Sequence, residues 1–159
     1  MSEIIHTKQG EGKKLSIAGS LYSILLGGSQ TKNQLAIIEM NVAAGAGPVP
    51  HEHPAFSESF YVLEGPVEMI TKEKSFVASK GDLVTIPFDG PVHCFKNPTS
   101  EPAKLLCIVA PAGLDSFFEE ATNIVKPGAA PTDEDKQKLK DLAVKYDQKL
   151  YPPDYFEKV

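Results

Sequence analysis

From residue 14 to residue 110, glycine, proline and small polar residues break the chain into short apolar runs. These lie at 15–18, 21–26, 35–42, 59–63, 67–71, 75–78, 83–87, 93–97 and 104–110, with no helical periodicity between them. Turn signals recur at short intervals: Gly19-Ser20, the cluster 27–33, Glu64-Gly65-Pro66, the polar tip Lys72-Glu73-Lys74, and Gly81-Asp82. So many short strands without an intervening helix predict an all-β barrel or double-sheet jelly roll. At 159 residues, 42% of them hydrophobic, the chain has enough apolar mass for one domain with its own core.

Charge and composition exclude several functions. With 16 basic against 21 acidic residues the net charge is −5, and no basic patch is available to follow a phosphate backbone, so a nucleic-acid partner is not expected. No apolar run is long enough to span a bilayer, and residues 1–10 lack the apolar stretch of a signal peptide; the expectation is a cytoplasmic protein with no membrane partner. Two cysteines, Cys94 and Cys107, are too few for a disulfide framework and read as reduced thiols. The expected organisation is a polar N-terminal segment over 1–13 with His6 on its surface, a β-barrel over 14–112, and a helical extension over 113–159.

The chemistry concentrates between Gly45 and Gly65. His51 and His53 are two residues apart, so on a strand they share a face with their side chains about 7 Å apart, a workable bite for one ion. Pro54 ends ladder pairing after His53, letting the chain bend and bring Glu58 back beside the imidazoles. Two neutral imidazoles and a carboxylate suit iron, manganese, nickel, cobalt, copper or zinc and suit calcium poorly. No thiolate is in the set, which argues against a structural zinc knot. A His-x-His pair by itself fits exposed loop histidines equally well.

The pair does not stand alone. Gly45, His51, His53, Glu58 and Gly65, with five, one, four and six residues between them, resemble the first motif of the cupin superfamily at every position. Gly81, Pro87, Gly90, His93 and Asn97 resemble the second, with one departure: Phe88 and Asp89 separate Pro87 from Gly90 where the family usually has one residue. From Gly45 to Asn97 the two motifs span roughly a third of the chain. The resemblance implies a double-stranded β-helix, the jelly-roll or cupin barrel, with one divalent transition metal in its mouth held by His51, His53, Glu58 and His93. It also implies a homodimer. Alternation puts Cys94 on the face opposite His93, so it is not expected to ligate, and Cys107 reads as core.

Past Pro111-Ala112-Gly113 the pattern changes. Leu114, Phe117, Phe118 and Ala121 predict a short amphipathic helix, and 126–131 is a Pro- and Gly-containing linker. Thr132 with Asp135 makes a capping box for a second helix, whose stripe is Leu139, Leu142, Ala143, Tyr146 and Leu150. Packing of these helices on the outside of the sheet is the favoured expectation, with a lid over the barrel mouth as the alternative.

A barrel followed by two helices is similar in layout to single-domain cupins that resemble quercetin dioxygenases. That resemblance implies a metal-dependent dioxygenase acting on a small aromatic or enediol substrate. Glu58 would be the proton acceptor, and Phe56, Phe60, Phe88 and Phe95 would wall a planar ring. The alternatives are a non-catalytic metal- or ligand-binding cupin and a metal-dependent isomerase or decarboxylase.

Overall fold

The computed structural model describes residues 3–158. In chain order the strands are β1 (Lys13–Ile17), β2 (Ser20–Leu26), β3 (Ala36–Val42), β4 (His51–Glu52), β5 (Ser57–Glu64), β6 (Val67–Thr71), β7 (Ser75–Ala78), β8 (Leu83–Ile86), β9 (His93–Lys96) and β10 (Ala103–Ala110). Helices α1 (Leu114–Ala121) and α2 (Asp133–Lys145) follow, and β11 (Lys149–Leu150) comes last among the strands. Two antiparallel sheets result, in the orders β1-β2-β3-β10-β5-β8 and β11-β4-β9-β6-β7. This is the expected double-sheet jelly roll.

Alternation decides what each strand puts inside. In β3 residues 36, 38, 40 and 42 are buried, in β10 residues 103, 105, 107 and 109, and in β5 residues 58, 60 and 62. The inward positions of β3 and β10 are all apolar, which fills the space between the sheets. Among the three strands only β5 puts a charge on that face, at Glu58.

Every run expected to be a strand is one, with ends displaced by two residues at most. The capping box also forms: the Thr132 side chain accepts from the Asp135 backbone N–H, and Asp135 accepts from that of Thr132. One expectation fails. The second helix stops at Lys145, and Leu150 lies instead in β11, where it pairs with His51 while Lys149 pairs with Glu52. Asp147, at positive φ, and Gln148, whose N–H bonds the Ala143 carbonyl, turn the chain off the helix and back along the histidine strand. Neither β4 nor β11 carries a periodic signal, because each is two residues long.

Packing of the loop 43–50 fixes where the histidines begin. Its first turn is tied to the end of β9 by Gly45 N–H to Asn97 O and Asn97 N–H to Ala46 O. The fully buried Asn97 side chain reaches the carbonyls of Val42, Ala43 and Glu101. At Gly47 the backbones come so close that a Cβ would sit 2.0 Å from the Phe95 carbonyl oxygen. The extra residue after Pro87 is absorbed by Asp89 in a left-handed conformation, with its N–H on the Pro54 carbonyl, so the turn docks on the histidine loop. Replacement Gly47→Ala must push the loop off β9. It is expected to destabilise the protein by about 1–3 kcal/mol in chemical denaturation, and wild-type stability would contradict this packing.

Candidate metal centre

His51 in β4 pairs directly with His93 in β9, which brings their rings to 4.4 Å between centroids. His53 lies just past the end of β4, and its ring is 5.8 Å from His51 and 4.9 Å from His93. Glu58, second residue of β5, reaches the same point from the other sheet. One donor atom from each of the four lies within 4.8 Å of the others, and all four residues are buried. Ligands of one ion bonded at about 2.1 Å stand roughly 3–4 Å apart, so the group could hold an ion with little movement.

Backbone carbonyls decide which ring nitrogens face inward. The Nδ1 of His51 lies 2.9 Å from the Val49 carbonyl oxygen, that of His93 2.9 Å from Pro91, and that of His53 3.1 Å from Phe56. A carbonyl only accepts, so each Nδ1 carries the hydrogen and each Nε2 is turned to the centre. The Phe56 ring also stacks on His53 at 4.1 Å and 8°. Three imidazoles with fixed tautomers and converging Nε2 atoms form a preorganised donor set.

The charge balance explains why an ion fits. His93 Nε2 is buried with no hydrogen-bond partner, since Glu58 Oε2 is 3.8 Å away. An unmet buried polar atom costs about 1–3 kcal/mol, and a metal ion meets it. Glu58 Oε2 is 3.2 Å from His53 Nε2, while Oε1 accepts the Cys107 thiol at 3.3 Å. Burial pushes the Glu58 carboxyl up, but the His53 hydrogen bond and the nearby imidazoles outweigh it and hold it below the usual carboxylate range. Burial together with the Glu58 charge raises Cys107, so it stays a thiol and donates. Val109 stands opposite Glu58 on β10 and Cys107 opposite Phe60, so the thiol is a diagonal neighbour.

His51 and His53 differ. Burial, reinforced by His93, lowers His51 to about 4, so its ring is neutral and its Nε2 lone pair is free for an ion. At His53 burial opposes protonation, but the Glu58 hydrogen bond and charge win and raise it. Both His53 nitrogens face acceptors, which favours the protonated ring beside Glu58 in metal-free protein.

A cavity of about 200 Å³ opens onto His51 and Glu58. Phe60 and Phe95 line it, as expected, and meet edge to face at 5.2 Å. Phe56 does not; it is core and supports His53. Phe88 is 53% exposed and away from the cavity, so the Pro87 turn supplies no ring wall. Its place is taken by Tyr22 of β2 and by Leu114, Phe117 and Phe118 of α1. The first helix therefore covers one side of the barrel mouth, the arrangement ranked second from sequence. Asp115 anchors it, accepting from Gly28 N–H at 2.8 Å and Gly113 N–H at 3.0 Å. A larger and more polar cavity, about 490 Å³, lies between the N-terminal segment and α1 and contains none of the four candidate ligands. His6 lines it and is exposed. Cys94 and Cys107 are both free and buried.

Comparison with known proteins agrees with this geometry. The cupin domain family model matches residues 38–109. A quercetin 2,3-dioxygenase of Bacillus subtilis (strain 168) is 27% identical over 111 residues, 70% of this chain but 32% of that protein, so the chain spans about a third of that relative's length. Among solved structures, KdgF from Halomonas sp. matches with TM-score 0.62 at 17% identity, over 72% of this chain and 99% of that one. A predicted oxalate decarboxylase from Thermotoga maritima matches with TM-score 0.62 at 17% identity, over 67% and 99%. The polyketide cyclase RemF from Streptomyces resistomycificus matches with TM-score 0.61 at 18% identity, over 70% and 81%. These likenesses show a shared fold. Residues 38–109, which carry all four clustered side chains, match the cupin domain family, and the two sheets around them have the cupin fold.

Metal uptake has to displace the His53 proton. Binding of one Zn²⁺ at a pH where His53 is protonated is expected to release that proton, measured by calorimetric titration in two buffers of different ionisation heat. Because His53 is raised above its ordinary value, apparent affinity falls about tenfold per pH unit below that raised range and levels off above it. His51, at about 4, adds to the loss only in stronger acid. Binding without proton release would contradict the imidazolium–carboxylate pair.

Proposed function

We propose that this cupin is a mononuclear metal-dependent dioxygenase of quercetinase-like chemistry acting on a small aromatic or enediol substrate. The supporting observation is the apolar cavity that ends on His51 and Glu58: a substrate between Phe60, Phe95 and Phe117 presents its oxygens to the donor cluster. In this reading His51, His53, Glu58 and His93 hold one divalent ion, drawn from iron, manganese, nickel, cobalt, copper and zinc. When bound, the ion acidifies a substrate hydroxyl and makes the ring reactive toward dioxygen.

The protein's own groups do the rest. Glu58 is ionised and accepts the hydroxyl proton on a carboxylate oxygen; Cys107 on Oε1 keeps the carboxylate from turning away. Burial, with Cys107 and Glu58 nearby, pushes the Tyr22 phenol up, so it remains a donor toward the substrate. The face of α1 keeps bulk water from one side of the cavity, which strengthens each of these interactions. A homodimer is part of the proposal.

Replacement Glu58→Gln keeps the shape of the carboxylate and removes its basicity. The variant is expected to retain much of the metal and lose at least about 100-fold in flavonol-dependent oxygen consumption at an oxygen electrode. Unchanged turnover would remove Glu58 as the proton acceptor. A metal-loaded wild type that consumes no oxygen with flavonols or diketones would move the assignment to an isomerase, a decarboxylase or a binding protein.

A further inference from the structure

Among the described residues two buried side-chain nitrogens have no hydrogen-bond partner, His93 Nε2 and Gln148 Nε2. The first belongs to the metal cluster. The second is unexplained by it: Gln148 is 5% exposed, and its backbone N–H is satisfied by Ala143 while its side-chain amide nitrogen meets nothing. Leaving such a donor unmet costs about 1–3 kcal/mol, enough to matter in a protein of marginal stability.

The position of Gln148 ties it to the cavity. Strand β11 pairs antiparallel with β4, Leu150 opposite His51 and Lys149 opposite Glu52. Gln148 directly precedes β11, two residues from Leu150. Alternation then sends Lys149 and Glu52 outward, where they form an ion pair at 3.7 Å, and sends Leu150 and Gln148 inward with the histidines. Both inward residues line the cavity that opens onto His51 and Glu58. The remainder of that wall is mainly hydrocarbon and aromatic, from Met40, Phe60, Phe95, Leu114 and Phe117. A polar group placed there serves a ligand better than it serves the core.

From this we infer that Gln148 is a substrate-specificity residue: its side-chain amide donates a hydrogen bond to an acceptor oxygen of the bound molecule. Resting on the proposed dioxygenase reading, this narrows the substrate class to a planar, mainly apolar compound carrying a hydroxyl or carbonyl oxygen placed to meet the amide. A hydrocarbon ring without that oxygen leaves the donor buried and unmet, and is discriminated against for that reason. The tail thus takes part in recognition through β11.

The test uses Gln148→Leu, close in volume and without the amide, in protein loaded with Co²⁺ and kept anaerobic, with visible spectra reporting binding. Quercetin and azide are the probes: quercetin fills the cavity, whereas azide binds at the ion and is too short to need the amide. The expected result is equal metal content, a quercetin Kd raised about tenfold, an unchanged azide Kd, and a ligand-free melting temperature equal to or above wild type. An unchanged quercetin Kd, or an azide Kd that rises in parallel, overturns the inference. If quercetin does not bind the wild type, the flavonol-type substrate reading fails. The melting arm then decides on Gln148: a lower ligand-free melting temperature in the variant makes the amide structural and overturns the inference, and an equal or higher one supports a ligand-directed amide.

Discussion

A buried carboxylate surrounded by three imidazoles governs the rest of this molecule. Glu58 occupies an inward position of a central strand, where alternation otherwise places a valine or a phenylalanine, and it is 3% exposed. A charge there is tolerable only if it is paired and hydrogen-bonded, and it is: His53 on one oxygen, the Cys107 thiol on the other, and two more rings close by. The three backbone carbonyls at Val49, Phe56 and Pro91 hold those rings with their Nε2 atoms inward. Elements outside the cluster serve this one point. Gly47 and Asn97 fix the loop that delivers His51, and the Asp89 turn rests on Pro54 beyond His53.

Much of this was legible in the sequence, for definite reasons. Strands of four to eight residues bounded by glycine and proline announce themselves, and the alternation in 36–42 and 103–110 is nearly unbroken. The histidine spacing and the two glycine-bounded motifs point to four residues that the fold does bring together, although they come from three strands and the residue just past the end of one of them. The capping box of α2 is a local interaction within four residues, so it too could be read directly.

What escaped the sequence is long-range. A two-residue strand has no periodicity, so β11 leaves no signal, β4 shows only through the histidine spacing, and Leu150 reads as part of the helix that precedes it. Phenylalanine near a motif looks the same whether it lies in the core, in the pocket or on the surface; Phe56, Phe60 and Phe88 take one fate each. The carbonyls that set the imidazole tautomers are backbone atoms and leave no mark in residue identity. The one available signal for Glu58 and Cys107 was alternation itself: a carboxylate in phase with Phe60 and Val62 had to be buried and needed partners, and a cysteine in phase with Leu105 and Val109 faced it.

The central claim is that the four residues around Glu58 form a working metal site. The most direct test is elemental mass spectrometry of protein purified without a histidine tag or chelator, beside a His93→Ala variant. The claim predicts about one equivalent of a divalent transition metal in the wild type and its loss in the variant. A wild type that stays metal-free even after reconstitution, or a variant that keeps its full equivalent, would contradict it.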